Sequence, residues 1–259
     1  MNKYWQKRKL AEETALANIS EAKLNKKIAK EYLRMQRDII RDLENLYYKI
    51  QSEGGSDVAL ASHLYSFQGY YQTLNEIQQK LIQMGNTEIE QIDSSLQRLY
   101  IANGKRVTEQ FNLPFDPTDE TVRNVVGKIW CNDGLTFSQR IWGHQNQLLN
   151  RLNATLIDAV ARGINSDKLT ENLMYDFGVS FHDAQRIVRT ETSRIMVQSA
   201  VDGYAEAGCD EFEVLADQSG VCDHCEQFNG KKFKIKDMEI GINCPPYHPN
   251  CRCCTIGVV

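Results

Sequence analysis

The chain has no apolar run of 18 residues, so no segment reads as a membrane-spanning helix. No apolar stretch follows the basic Lys7-Arg8-Lys9 cluster, so the N-terminus does not read as a secretory signal. Prolines are scarce: there are five in 259 residues, at positions 114, 117, 245, 246 and 249. Histidine is equally sparse, with five. His63, His144 and His182 are scattered, and no nucleophile or base accompanies them in a catalytic pattern. Charge of a single sign is also missing. Lys and Arg total 30 against 34 Asp and Glu, for a net charge of -4 and a pI near 5.8, which argues against a general nucleic-acid binder.

What is present is an ordinary soluble composition, 42% hydrophobic and 25% charged, with length for two domains. The charge is uneven. Residues 1–50 hold 12 Lys/Arg and 7 Asp/Glu, a net +5, which leaves -9 for the remainder. A basic N-terminal arm can meet an acidic partner, either nucleic acid or an acidic protein surface. Mixed-sign charge on a helix also describes a plain solvated face, the simpler reading.

Periodicity makes the first 112 residues helical. Ile28, Tyr32, Met35, Ile39, Leu43, Leu46 and Ile50 step by three or four, marking one face of a helix over 5–50. The Gly54-Gly55 break predicts its end, with Ser56 or Asp57 capping a second helix over 57–84 that carries Tyr65, Phe67, Tyr70 and Tyr71. Gly85 predicts a stop there, and a third helix spans 88–110 on Ile89, Ile92, Leu96, Leu99 and Tyr100. Pro114 and Pro117 forbid helix and mark a linker, with Thr118 capping a short helix after it. Further helices are expected from Ser138 to Arg162, from Asp167 to Phe177 with Gly178 as the stop, and from Ser180 to Ala207 with Gly208 as the stop. Alternation over 211–215 predicts a strand. The fold class is therefore mainly α: a long N-terminal helical hairpin or bundle over 1–112, then a small α+β domain over 113–259.

Six of the eight cysteines fall between Asp217 and Cys254. Cys222-x-x-Cys225 and His248-x-x-Cys251, followed by Cys253, flank a segment at 230–243 that reads as a β-hairpin. Two close ligand pairs on turns around a β element suit a structural Zn2+ site. Without a secretory signal a reducing compartment is expected, which favours metal over disulfides. The ligands are then Cys222, Cys225, His248 and Cys251, with Cys253 as the alternative fourth. Lys232, Lys234 and Lys236 offer possible nucleic-acid contacts, or simply guard an edge strand. Arg189 and Glu191, two apart on a helix, do not share a face, and each is expected to pair elsewhere, bridging the helix to the strand that leads to Asp217.

Arg189-Thr190-Glu191-Thr192, Asp217, Cys222-x-x-Cys225, Gly230 and the PPYHPNCRC run at 245–253 together resemble the Mu F-like minor head proteins of tailed bacteriophages. Gly134-Leu-Thr-Phe-Ser-Gln-Arg-Ile-Trp142 and the Tyr4-Trp5-x-x-Arg8 start resemble them too. The motif core lies at 186–254. The resemblance implies a protein bound at the portal vertex inside the capsid, reached from the host cytoplasm during assembly. It implies a role in head assembly, DNA packaging or DNA ejection, with the portal protein as partner, possible scaffold, major capsid protein or phage DNA contacts, no membrane and no catalytic residues. Cys244 and Cys254 stand outside the pattern. The competing class is a zinc-containing toxin or nucleic-acid-acting enzyme on the same module. His224-Cys225-Glu226 matches the first half of a nucleobase deaminase signature, but the P-C-x-x-C half is absent.

Overall fold

The structure, a computed structural model, describes residues 3–54, 68–216 and 221–258. Asp217, Ser56, Asp57, His63, Tyr65, Phe67 and the side chains of Tyr4 and Trp5 lie outside the described residues. The elements run α1 (Lys3–Gly54), α2 (Gln68–Thr108), α3 (Asp119–Val126), α4 (Phe137–Arg162), α5 (Ser166–Glu206), β1 (Glu211–Leu215), α6 (Asp223–Glu226), β2 (Lys232–Lys234) and β3 (Cys254–Val258). The fold is mainly α, with a three-stranded antiparallel sheet in the order β2-β1-β3 near the C-terminus.

The chain forms two compact units. One comprises Met1–Asn25, Gln91–Phe137 and Gln185–Val259, and the other Lys26–Glu90 and Ser138–Ala184. Among its described residues the second unit is helical apart from the turn at 163–165. The expected stripe on α1, from Ile28 through Ile50, is buried at all seven positions. Ile77, Leu81 and Met84 of α2, Leu148, Leu152 and Leu156 of α4, and Leu169, Leu173 and Phe177 of α5 are buried in the same unit. Each such side chain stabilises the fold by about 1.5–3 kcal/mol over an exposed one.

Two expected helix ends are absent. Gly85 lies inside α2, and a Cβ there would sit 2.8 Å from the Trp142 ring of α4. The glycine is a slot for an indole, not a stop. Gly178 likewise lies inside α5, which runs unbroken from Ser166 to Glu206. A mid-helix glycine costs about 1 kcal/mol, and the neighbouring buried Phe177, Ser180 and Ala184 outweigh it. Ser180 is therefore no cap. Its hydroxyl is buried against Tyr32 at 3.4 Å. The ends at Gly163 and Gly208 do occur, each glycine taking a positive φ.

The first unit is built around α5. Every residue from Glu191 to Val201 is buried, polar and apolar alike. A helix buried on all sides is a central helix. Val197, Ala200, Val201 and Tyr204 pack with Val107 of α2 and with Phe212 and Val214 of β1. The linker after α2 is anchored rather than loose: Phe115 is buried against Tyr100, ring centroids 5.6 Å apart. Thr118 caps α3 by accepting from the Thr121 amide, with Asp119 and Glu120 in the first turn.

Part of the basic arm is a self-paired helix face. Arg8–Glu12, Arg34–Glu31 and Arg41–Asp38 are pairs one turn apart. Lys9 and Glu13 are buried together at 2.7 Å, and Arg106 of α2 also reaches Glu13. Arg252, in the C-terminal loop, forms a two-pronged pair with Glu21.

The hairpin expected at 230–243 does not form. β2 pairs with β1, Phe212 opposite Phe233, and residues 235–237 turn into a 3-10 helix. Ile240 bridges only Cys244. The partner that completes the sheet is β3, aligned along all of β1. It went unread in the sequence because its apolar pattern is short and interrupted by Gly257.

A Cβ at Gly104 would lie 2.1 Å from the Phe115 ring. Gly104→Ala should therefore cost about 1–3 kcal/mol in a denaturation experiment, the usual scale of overpacking. Unchanged stability would mean that Phe115 is not seated there.

Candidate metal centre

Five possible metal donors converge beyond β1. Cys222 precedes the single turn α6, and Cys225 lies inside it, with the Glu226 amide donating to the Cys222 carbonyl at 3.0 Å. This tight turn brings both thiols to one side. His248, Cys251 and Cys253 come from the proline-rich return. The sulfur of Cys222 lies 3.4 Å from His248 Nε2, and that of Cys225 lies 3.1 Å from the same nitrogen. Cys225 and Cys251 sulfurs are 3.7 Å apart. The donors fall into two triads, Cys222–Cys225–His248 and Cys225–Cys251–Cys253, each mutually within 4.8 Å. Cys225 belongs to both. This set could hold a metal ion.

The surroundings tune the donors. His248 Nδ1 lies 2.8 Å from the Pro249 carbonyl oxygen. Donation to that oxygen leaves Nε2 as the free lone pair aimed at the sulfurs, the orientation a ligating histidine needs. Desolvation works to lower the His248 pKa, but this bond and the nearby Cys251 and Cys222 charges outweigh it and raise the value. Cys251 is held down to about 5, first by the hydrogen bond from Cys253. Burial, then the Cys251 charge, pushes Cys225 up to about 12. Cys222 is lowered, chiefly by a backbone hydrogen bond at Cys225. Such sulfurs in a row favour shared protons or one coordinating cation.

None of the eight cysteines is in a disulfide. The extra two have plain packing roles. Cys244 is fully buried in the core with Ile240 and Val214, and Cys254 opens β3. Around the knuckle, Phe228 stacks on Tyr247 at 4.2 Å, and His224 meets both edge-on. Sequence reasoning missed this aromatic wrap. Its signal was the apolar residue three after Cys225 and the tyrosine just before His248.

The Arg189–Thr192 run explains how the knuckle is held. Thr190 Oγ1 donates to the Arg186 carbonyl and accepts from the Asn250 amide at 3.2 Å. Asn250 has a φ of 65°, a left-handed turn that Asn tolerates, and the next residue is Cys251. Glu191 has partners on α5 and at Trp130. Its carboxylate accepts from Trp130 Nε1 at 3.0 Å and from Arg194 Nε at 2.6 Å. Arg194 is fully buried and donates its other nitrogens to the Val125 and Val126 carbonyls, each at 2.9 Å. Those carbonyls lie in the last turn of α3, where the Val125 oxygen also takes the Lys128 amide at 3.4 Å. Arg189 is half-buried, and its Nε has no hydrogen-bond partner among the described residues. Gly230 sits at a φ of 75° and donates its amide to the Val214 carbonyl, locking the loop after α6 to β1. Lys232, Lys234 and Lys236 are exposed, the first two on edge strand β2.

Residues 150–256 match the family model described as Phage Mu protein F like protein. The matched stretch is less than half of the chain, but it contains the Arg189–Thr192 run, Gly230 and all five donors. It supports the resemblance to phage head morphogenesis proteins drawn from those motifs. No curated protein and no solved structure matches the chain.

Arg194→Met should lower stability by about 3–5 kcal/mol, because it strands Glu191 as a buried lone charge. The double change Arg194→Met with Glu191→Leu should recover part of that loss in the same denaturation measurement. Equal or larger loss in the double variant would show that the two side chains do not act as a pair.

Proposed function

We propose that this is a minor head protein of a tailed phage, docking at the portal vertex through a C-terminal region clamped by one structural zinc ion. The observation that carries the reading is the match of residues 150–256 to the Mu F-like family over the five-donor cluster. Tetrahedral zinc with Zn–S near 2.3 Å sets sulfurs about 3.8 Å apart. The 3.7 Å between Cys225 and Cys251 fits that edge. Cys222, Cys225, His248 and Cys251 form the proposed ligand set, and Cys253 is the fourth ligand if Cys251 is not. The ion's work is folding. Three short strands bury little apolar surface, and a metal supplies what the core lacks.

In this reading residues 1–112 engage the portal, with scaffold or major capsid protein as further partners, and residues 113–259 form the clamp-bearing module. Its place is the virion interior near the portal, reached from the host cytoplasm, in head assembly, packaging or ejection. The module performs no turnover. Phage DNA contact is a second role, favoured by the exposed Lys232, Lys234 and Lys236. Phosphate contacts of that kind weaken steeply with added salt.

Anaerobically purified protein should contain one zinc per chain by elemental analysis, and Cys225→Ser should abolish it. Cys251→Ser against Cys253→Ser identifies the fourth ligand by which variant loses metal. Chelation should remove hydrogen-exchange protection in residues 211–258 and leave the helices of the second unit protected. Portal protein should retain the metal-loaded chain in a pull-down and release the chelated one. A metal-free chain with full protection in 211–258 would defeat the clamp, and a loaded chain that ignores portal would defeat the docking role.

A further inference from the structure

Tyr32 of α1, Glu88 of α2, Gln145 of α4 and Ser180 of α5 meet inside the second unit, and all four are buried. Glu88 Oε2 accepts from Tyr32 at 3.3 Å and from Gln145 Nε2 at 3.1 Å. The Tyr32 hydroxyl lies 3.4 Å from Ser180 Oγ and 3.4 Å from Gln145 Nε2. Two oxygens are left over. Glu88 Oε1 and Gln145 Oε1 are buried, and neither has a hydrogen-bond partner among the described residues.

These two orphans belong to side chains already joined by one bond. If Glu88 is a carboxylate, both are acceptors, and neither can satisfy the other. A carboxylic acid and a primary amide have complementary faces: amide N–H to acid C=O, and acid O–H to amide C=O. One proton on Glu88 Oε1 turns two stranded acceptors into a donor and an acceptor. We infer that Glu88 is a neutral carboxylic acid in the folded protein, paired face to face with the Gln145 amide, and that this proton latches the helices of the unit together.

The surroundings agree. From α1 the facing titratable group is Tyr32, whose own phenol is pushed well above its ordinary value by burial and stays neutral. α4 presents Gln145 and α5 presents Ser180, both uncharged. Among the described residues no cation is paired with Glu88. Burial pushes its carboxyl up to about 7, and the bonds from Tyr32 and Gln145 only partly offset this. The folded value therefore lies above the unfolded one. The latch is complete below the unfolded pKa, weakens as pH rises, and is lost once pH passes the folded value.

In full-length protein, the infrared difference spectrum of wild type minus Glu88→Gln should show a protonated-carboxyl carbonyl band at about pH 6 that fades with a midpoint near neutrality. Only carboxylate bands at that pH would overturn the inference. Hydrogen exchange over residues 77–90 should report an opening equilibrium that rises about tenfold per pH unit between about pH 4.5 and about pH 7 in wild type. In Glu88→Gln that slope should vanish, since an amide mimics the acid at every pH. An equal slope in both proteins would overturn the latch. If the variant fails to fold, carbon-13 carboxyl NMR of the wild type decides. One glutamate titrating near neutrality upholds the proposal, and all glutamates titrating in the ordinary carboxylate range reject it.

Discussion

A guanidinium sealed from water sets the terms for the motif-bearing unit. Removing a charge from solvent costs several kcal/mol, and only excellent geometry returns it. Arg194 meets that demand with three partners: the Glu191 carboxylate and the last two carbonyls of α3. Glu191 in turn is satisfied by the Trp130 indole. The position of α3, the place of Trp130 and the facing of α5 are thus tied to one pair. The same helix offers Thr190, one residue before Glu191, to the Asn250 turn beside Cys251. A single stretch of α5 therefore ends α3 and seats the knuckle.

The knuckle itself shows why a small sheet needs help. β1 is well covered, but β2 has three residues and β3 is only half-buried beyond Thr255. Among the described residues the cluster around the sulfurs joins Cys225, Cys251 and Cys253 with Ala216, Val221 and Tyr247. Stacked Phe228 and Tyr247 close one side. Thiols so close together, with pKa values driven apart in both directions, are poorly satisfied by protons alone. The proposed ion resolves that conflict and explains the spacing of the ligands.

The two units treat buried charge in opposite ways. In one, Glu191 lies against a buried guanidinium and an indole N–H. In the other, Glu88 has hydroxyl and amide neighbours and, among the described residues, no cation, so neutrality is the cheaper state. Arg252–Glu21 and Lys9–Glu13 follow the first pattern, joining the start of α1 to the C-terminal loop and to α2 through Arg106. Arg252 and Arg106 come from outside the first 50 residues, so these contacts occupy acids of that stretch and leave its basic excess in place. The rest of that face is paired along the helix or exposed.

Local signals in the chain were enough for the helical class, the α1 stripe, the Pro114–Pro117 linker, the Thr118 cap, strand β1 and the cysteine–histidine donors. Each rests on neighbours within a turn or two, where period, capping and ligand spacing act. The misreadings all involve partners distant in sequence. Gly85 and Gly178 look like helix ends until Trp142 and the packed core around Ser180 are in place, because a glycine's cost is local and its compensation is not. Lys232–Lys234 looks like half of a hairpin until β1 claims it and β3 returns to complete the sheet. Glu191, Arg194 and Glu88 carry no sequence mark of their state, since whether a charge is paired, stranded or neutralised depends on what the fold brings within 3 Å of it.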